Sequence, residues 1–75
     1  ENILQNELSA RIDDSVKKLP ERQRMVFVLR YYEEKPYSEI ARTLGITEGA
    51  AKANFHHAVK KLKADLGDYV KGESV

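Results

Sequence analysis

The sequence predicts an all-α domain of four helices, in which the third and fourth form a helix-turn-helix and the fourth is long. Three observations predict it. Apolar residues in the first segment recur every three or four positions, which lines one side of a helix. Pro20, Pro36 and Gly45 fall between the apolar segments rather than inside them. The run Ala41, Gly45, Ile46, Ala51 has the small residues and the glycine that a tight turn between two crossing helices requires.

The first helix carries Leu4, Leu8, Ile12, Val16 and Leu19 as its stripe, and it ends near Lys18 because Pro20 disfavours helical geometry at Leu19. Pro20 suits the start of the second helix, where its missing N–H costs nothing. That helix is expected from Glu21 to about Tyr32. Its run Met25–Val26–Phe27–Val28–Leu29 covers more than one face. Glu33–Glu34–Lys35–Pro36 interrupts the pattern. The third helix, Tyr37 to Leu44, places Ile40, Ala41 and Leu44 on one side, and Gly45 is its left-handed stop. Thr47 caps the fourth helix, with Glu48 in its positive first turn. That helix is expected to run to roughly Leu66, with 67–75 as a frayed tail containing Gly67 and Gly72.

Seventy-five residues support one core at most, so residues 1–75 are expected to be a single domain. The chain opens without methionine in mid-pattern, and is expected to be a fragment of a longer protein. With no cysteine it has neither a disulfide framework nor a thiolate zinc site, and a cytoplasmic setting fits best. No apolar run approaches the roughly 20 residues of a membrane span, so no membrane partner is expected. Net charge is only +1, but its distribution is uneven. Residues 47–66 hold Lys52, Lys60, Lys61 and Lys63 against Glu48 and Asp65, a net of +2, while residues 1–20 and 67–75 are each −1. The basic end of the chain also holds both histidines.

A helix-turn-helix projects its second helix, which fits a major groove about 12 Å wide. The same spacing also serves an ordinary helical hairpin. At about 100° per residue, Ala51, Phe55, Ala58 and Leu62 fall on one side of the fourth helix. Gly49, Ala53 and Lys60 lie opposite, flanked by His56 and His57, with Lys52 and Lys63 nearer the boundary. Small residues let the backbone approach base edges, and lysines hold phosphates. A solvated face is the bland reading of those lysines. It loses ground because this helix is net basic and carries both histidines.

Adjacent helical residues point about 100° apart, so His56 and His57 cannot chelate one ion together, and no third ligand stands at helical spacing. No metal or other cofactor is expected. As donors and acceptors in a groove the histidines make better sense than as idle surface residues. Part of the Met25–Leu29 run is expected to stay exposed as a partner surface, with Met25, Val26 and Val28 as its residues. Ser9, Ser15, Ser38 and Ser74 lack a positioned base and no glycine-rich phosphate loop is present, so no enzyme is expected.

The segments LPERQRMVFVLRYY (19–32) and YSEIARTLGITEGAAKANFHHAVKKLK (37–63) resemble region 4 of sigma factors of the extracytoplasmic-function group. The resemblance spans some sixty residues with the leading helix. It implies a C-terminal domain that binds the −35 promoter element as part of a bacterial RNA polymerase sigma factor. It also implies docking on the flap of the polymerase β subunit and, in many members, capture by an anti-sigma factor. The family's base-reading positions fall on Lys52, Ala53, His56 and His57, and its backbone contacts fall near Thr47, Arg42 and Lys60. This chain departs from the family's frequent residues at Ala51, Ala53, Asn54 and His57, which removes arginines suited to guanine. Glu34–Lys35–Pro36 stands where Gly–Leu–Ser is common. A LuxR-type response-regulator output domain has a similar E-I-A…G-I-S-E-G segment, but the long first helix and the A-V-K-K-L-K-A-D-L continuation speak against it. A protein-interaction module using only the apolar second helix is the alternative outside DNA binding.

Overall fold

Proline and glycine divide the chain where the sequence places them. The computed structural model describes the backbone of residues 3–74 and the side chains of residues 7–67. Within it α1 spans Ile3–Lys17, α2 Glu21–Phe27, α3 Tyr37–Leu44 and α4 Glu48–Ser74, and a π-helical turn, Val28–Tyr32, continues α2. No strand occurs among the described residues.

The last turn of α1 tightens as the N–H groups of Lys18 and Leu19 donate to the carbonyls of Ser15 and Val16, both at 3.1 Å. Pro20, with φ −54° and ψ 149°, then turns the chain, and the Arg24 N–H donates to its carbonyl at 2.8 Å. The Arg24 guanidinium also reaches back to the Leu19 carbonyl at 3.2 Å. The α1–α2 corner is therefore held from both sides of the proline.

Two apolar clusters make the core. The first joins Val16, Leu19, Phe27, Ala58 and Leu62, with Ile12, Val28, Phe55 and Val59 packed on it. The second joins Val26, Ile40 and Ala51, with Leu29, Tyr37, Leu44, Ile46 and Phe55 packed on it. The crowded apolar run of α2 thus has a physical reason: Val26 and Leu29 enter one cluster, Phe27 and Val28 the other. Phe55 belongs to both. Its ring stacks on Phe27 at 5.6 Å and meets Tyr37 edge-on at 6.3 Å. It is half-buried rather than fully buried, because one side opens into a groove between α1 and α4. The expected inward stripe of α1 is present from Leu8 to Leu19, while the side chain of Leu4 lies outside the described residues.

Two expectations are corrected. The second helix is not uniform to Tyr32. After Phe27 it loosens to π geometry, the Glu33 N–H donating to the Val28 carbonyl at 3.2 Å and the Lys35 N–H to the Leu29 carbonyl at 3.0 Å. Glu34 follows with φ 57°, a left-handed conformation that glycine adopts without steric cost and glutamate does not. The fourth helix, expected to run to roughly Leu66, continues through Gly67 to Ser74. Glycine lowers helix propensity by only about 1 kcal/mol, and no proline follows to block the backbone. A helix of 27 residues is about 40 Å long, which accounts for the 41 Å long dimension of the molecule.

Candidate nucleic-acid interface

The corner that projects α4 is built from few parts. Gly45 takes φ 68° and ψ 37°, and its N–H and that of Ile46 both donate to the Ala41 carbonyl, the latter at 3.0 Å. Thr47 Oγ1 accepts the Ala50 N–H at 3.0 Å, the expected cap. As an acceptor there, the hydroxyl keeps its own proton to donate outward. Ala51, with no exposed surface, seats α4 against Ile40 of α3. A larger residue there would push the two helices apart.

The outward side of α4 carries the residues expected to read DNA. Lys52, Ala53, His56, His57 and Lys60 are all exposed, while Ala51, Ala58 and Leu62 on the other side are buried. Arg42, in the last turn of α3, and Thr47 are exposed beside them. Asn54 differs: it is half-buried, and its side-chain amide donates to the Ala50 carbonyl at 2.9 Å. A cβ atom added at Gly49 would meet nothing closer than Thr47 Oγ1 at 3.9 Å, so the first turn presents a low surface.

Further along, at Asp65, α4 is tied to α1. Ser15, itself buried, donates its hydroxyl to Asp65, and Lys18 lies 3.7 Å from the same carboxylate. The Ser15 hydroxyl first, and the Lys18 charge second, hold the Asp65 carboxyl below its ordinary range. Tyr32 donates to Asp13 at 2.5 Å and links the π turn to α1. Burial and then the Asp13 carboxylate push its phenol up to about 12. These bonds fix the base from which α4 projects.

The expected partner surface is partly wrong. Val26 has no exposed surface and sits at the centre of the second cluster, so it cannot meet a partner. Met25 is 39% exposed and Val28 half-buried. Both line an apolar groove of about 330 Å³ with Arg24, Leu29, Thr43 and Leu44, between α2 and α3. That Leu29, Thr43 and Leu44 join this groove was not legible in the sequence, because helix spacing alone does not show how α3 crosses α2. Among the described residues no three acids, histidines or cysteines stand together as metal ligands, and no helix is long and apolar enough to cross a membrane.

Comparison with known proteins adds an independent finding. Residues 9–62 match the family model described as Sigma-70, region 4. RNA polymerase sigma factor FliA of Pseudomonas aeruginosa is 34% identical over 67 residues, which are 89% of this chain and 27% of that protein. The FliA protein of Salmonella typhimurium is 34% identical over 65 residues, 87% of this chain and 27% of that protein. The RNA polymerase sigma-E factor of Streptomyces antibioticus is 38% identical over 53 residues, 71% of this chain and 29% of that protein. The chain thus spans little more than a quarter of the length of these relatives.

Proposed function

The chain belongs to the sigma-70 region 4 family, and from that premise we propose that it binds the −35 promoter element through the outward face of α4 during transcription initiation. One observation carries this reading. The small and basic residues of α4 are exposed together on the side away from the core, on a helix held out by a glycine turn and a threonine cap. On this reading Ala53, His56 and His57, all exposed, meet base edges, and Arg42, Thr47 and Lys60 meet phosphates. The neutral Asn54 amide is engaged with Ala50, which leaves base reading to the histidines and to methyl contact by Ala53. The role is one of binding and not of catalysis, in the cytoplasm, within a longer sigma factor of which residues 1–75 form one domain.

The apolar groove between α2 and α3 is proposed as the seat for the flap of the RNA polymerase β subunit, with Met25 and Val28 as its contacts. An anti-sigma factor that covered this groove or the α4 face would silence the domain. The comparisons do not favour a LuxR-type output domain or a module that never meets DNA.

The decisive experiment is anisotropy titration of the chain with labelled duplexes at several salt concentrations, followed by binding-site selection. Affinity should fall linearly on a log–log plot with a slope set by the phosphates neutralised. Selection should return one preferred sequence. Absence of salt-dependent binding would overturn the reading, as would failure to enrich any sequence.

A further inference from the structure

One hydroxyl stands on the core side of α1. Ser15 falls between Ile12 and Leu19 on the stripe with which α1 packs, and at 4% exposure it is the one buried polar residue among the described residues. An alanine would fill that place without the cost of desolvating a hydroxyl. The hydroxyl donates to the carboxylate of Asp65, fifty residues away on α4. Around this bond Val16 and Leu19 of α1 share one apolar cluster with Ala58 and Leu62 of α4. The start of α4 is seated elsewhere, by Ala51 in the cluster with Ile40. At about 1.5 Å per residue, Asp65 lies about 21 Å beyond that seat. The exposed residues assigned to DNA, from Ala53 to Lys60, stand between the two.

We propose that Ser15 is a positioning residue for DNA binding: through its bond to Asp65 it sets the tilt of α4, and so the place of Lys60 at the DNA backbone. This rests on the DNA-binding reading given above and adds to it a residue buried away from the DNA face. Apolar contact is non-directional, so the shared cluster holds α1 and α4 together without fixing how they lie. A hydrogen bond weakens steeply with distance and angle, and it selects one arrangement. Lys18 approaches the same carboxylate at 3.7 Å but is 71% exposed, so the ion pair adds little to that selection. With the Ala51 seat as pivot, Lys60 stands about two thirds of the way out to Asp65. A slip of about 1.5 Å at Asp65 parts the bond and carries Lys60 by about 1 Å. Ala53, next to the pivot, barely moves. The loss therefore falls on a phosphate contact rather than on the start of the helix.

The test titrates wild type, Ser15→Ala, Asp65→Ala and Asp65→Asn with the duplex that selection returns, at several salt concentrations, and records a thermal melt of each. Ser15→Ala keeps every charge and should weaken binding several-fold, lowering the salt slope by up to about 0.9. Asp65→Ala should also weaken it, against the gain that loss of a negative charge alone would give. Asp65→Asn keeps an acceptor for the Ser15 hydroxyl and should bind at least as tightly as wild type. Adding Ser15→Ala to Asp65→Ala should have no further effect, and Lys60→Ala should cost a smaller fold-change in the Ser15→Ala background than in wild type. The Asp65 side chain is 42% exposed, so its variants carry the test even where Ser15→Ala lowers the melting temperature. Wild-type affinity and slope in both alanine variants would overturn the proposal. So would tighter binding by Asp65→Ala, or an equal Lys60→Ala loss in both backgrounds. Those results leave the DNA-binding reading standing, whereas a wild-type chain without salt-dependent binding would end both.

Discussion

Phe55→Ala should destabilise the domain by about 2–3 kcal/mol, less than its sequence position suggests. A fully buried phenylalanine costs about 3–5 kcal/mol when cut to alanine. Phe55 is half-buried, and the space its ring leaves opens onto the groove lined by Val59 and Leu66 instead of becoming an enclosed void. Against that reduction stands its place between the two clusters. The stacked pair with Phe27 and the edge-on pair with Tyr37 each add about 0.5–1.5 kcal/mol. Ile40, with no exposed surface, sets the comparison: Ile40→Ala should cost about 4 kcal/mol. Urea unfolding followed by circular dichroism measures both, and the Phe55→Ala melting temperature should fall on the order of 10–20 °C. The reasoning fails if Phe55→Ala lies within about 0.5 kcal/mol of wild type, or if it costs more than Ile40→Ala.

Four further outcomes are expected. Glu34→Gly should raise stability by about 0.5–1 kcal/mol, the relief at a left-handed residue exceeding the added freedom of the unfolded chain, and Glu34→Val should lower it; urea midpoints in the opposite order would refute this. Met25→Glu should abolish capture of core polymerase with helical content intact, whereas Val26→Glu should unfold the chain; a folded Val26→Glu protein would contradict its burial. Lys60→Ala should weaken all duplexes alike, while His56→Ala or His57→Ala should change the selected sequence by about 1–3 kcal/mol at one or two positions; one common selected sequence in all variants would remove the histidines from base reading. The Asp65 carboxyl is lowered in the fold, so its contribution is present above the unfolded value of about 3.9 and is lost as pH falls through the lower folded value; Ser15→Ala should flatten this acid limb, and an unchanged limb would show that the Ser15 bond does not act on Asp65.

Much of this was legible in the sequence, for identifiable reasons. The apolar stripe of α1 and the Gly45–Ile46 turn rest on local rules, namely helix period and the conformations open to glycine, and so does the Thr47 cap. Local rules act within a few residues and survive any tertiary arrangement that uses the element. The exposed face of α4 followed in the same way, because its buried side was marked by Ala51, Ala58 and Leu62.

What the sequence left undecided depended on two segments meeting. Met25 and Val26 are neighbours of similar character, yet one faces a groove and the other is sealed in the core. Only the crossing of α3 over α2 distinguishes them. The π turn and the left-handed Glu34 have no local signal, since glutamate favours neither; packing of the flanking residues into two clusters enforces them. Arg30, Tyr37 and Lys52 lie on three separate elements, and no spacing rule brings them to one ring. The sequence by itself determined the helices, their caps and the basic face, because these arise from short-range backbone preference and periodicity. The tertiary structure alone decided which apolar residues remain open and which charges converge, because burial and electrostatics depend on distances that the chain sets only once it has folded.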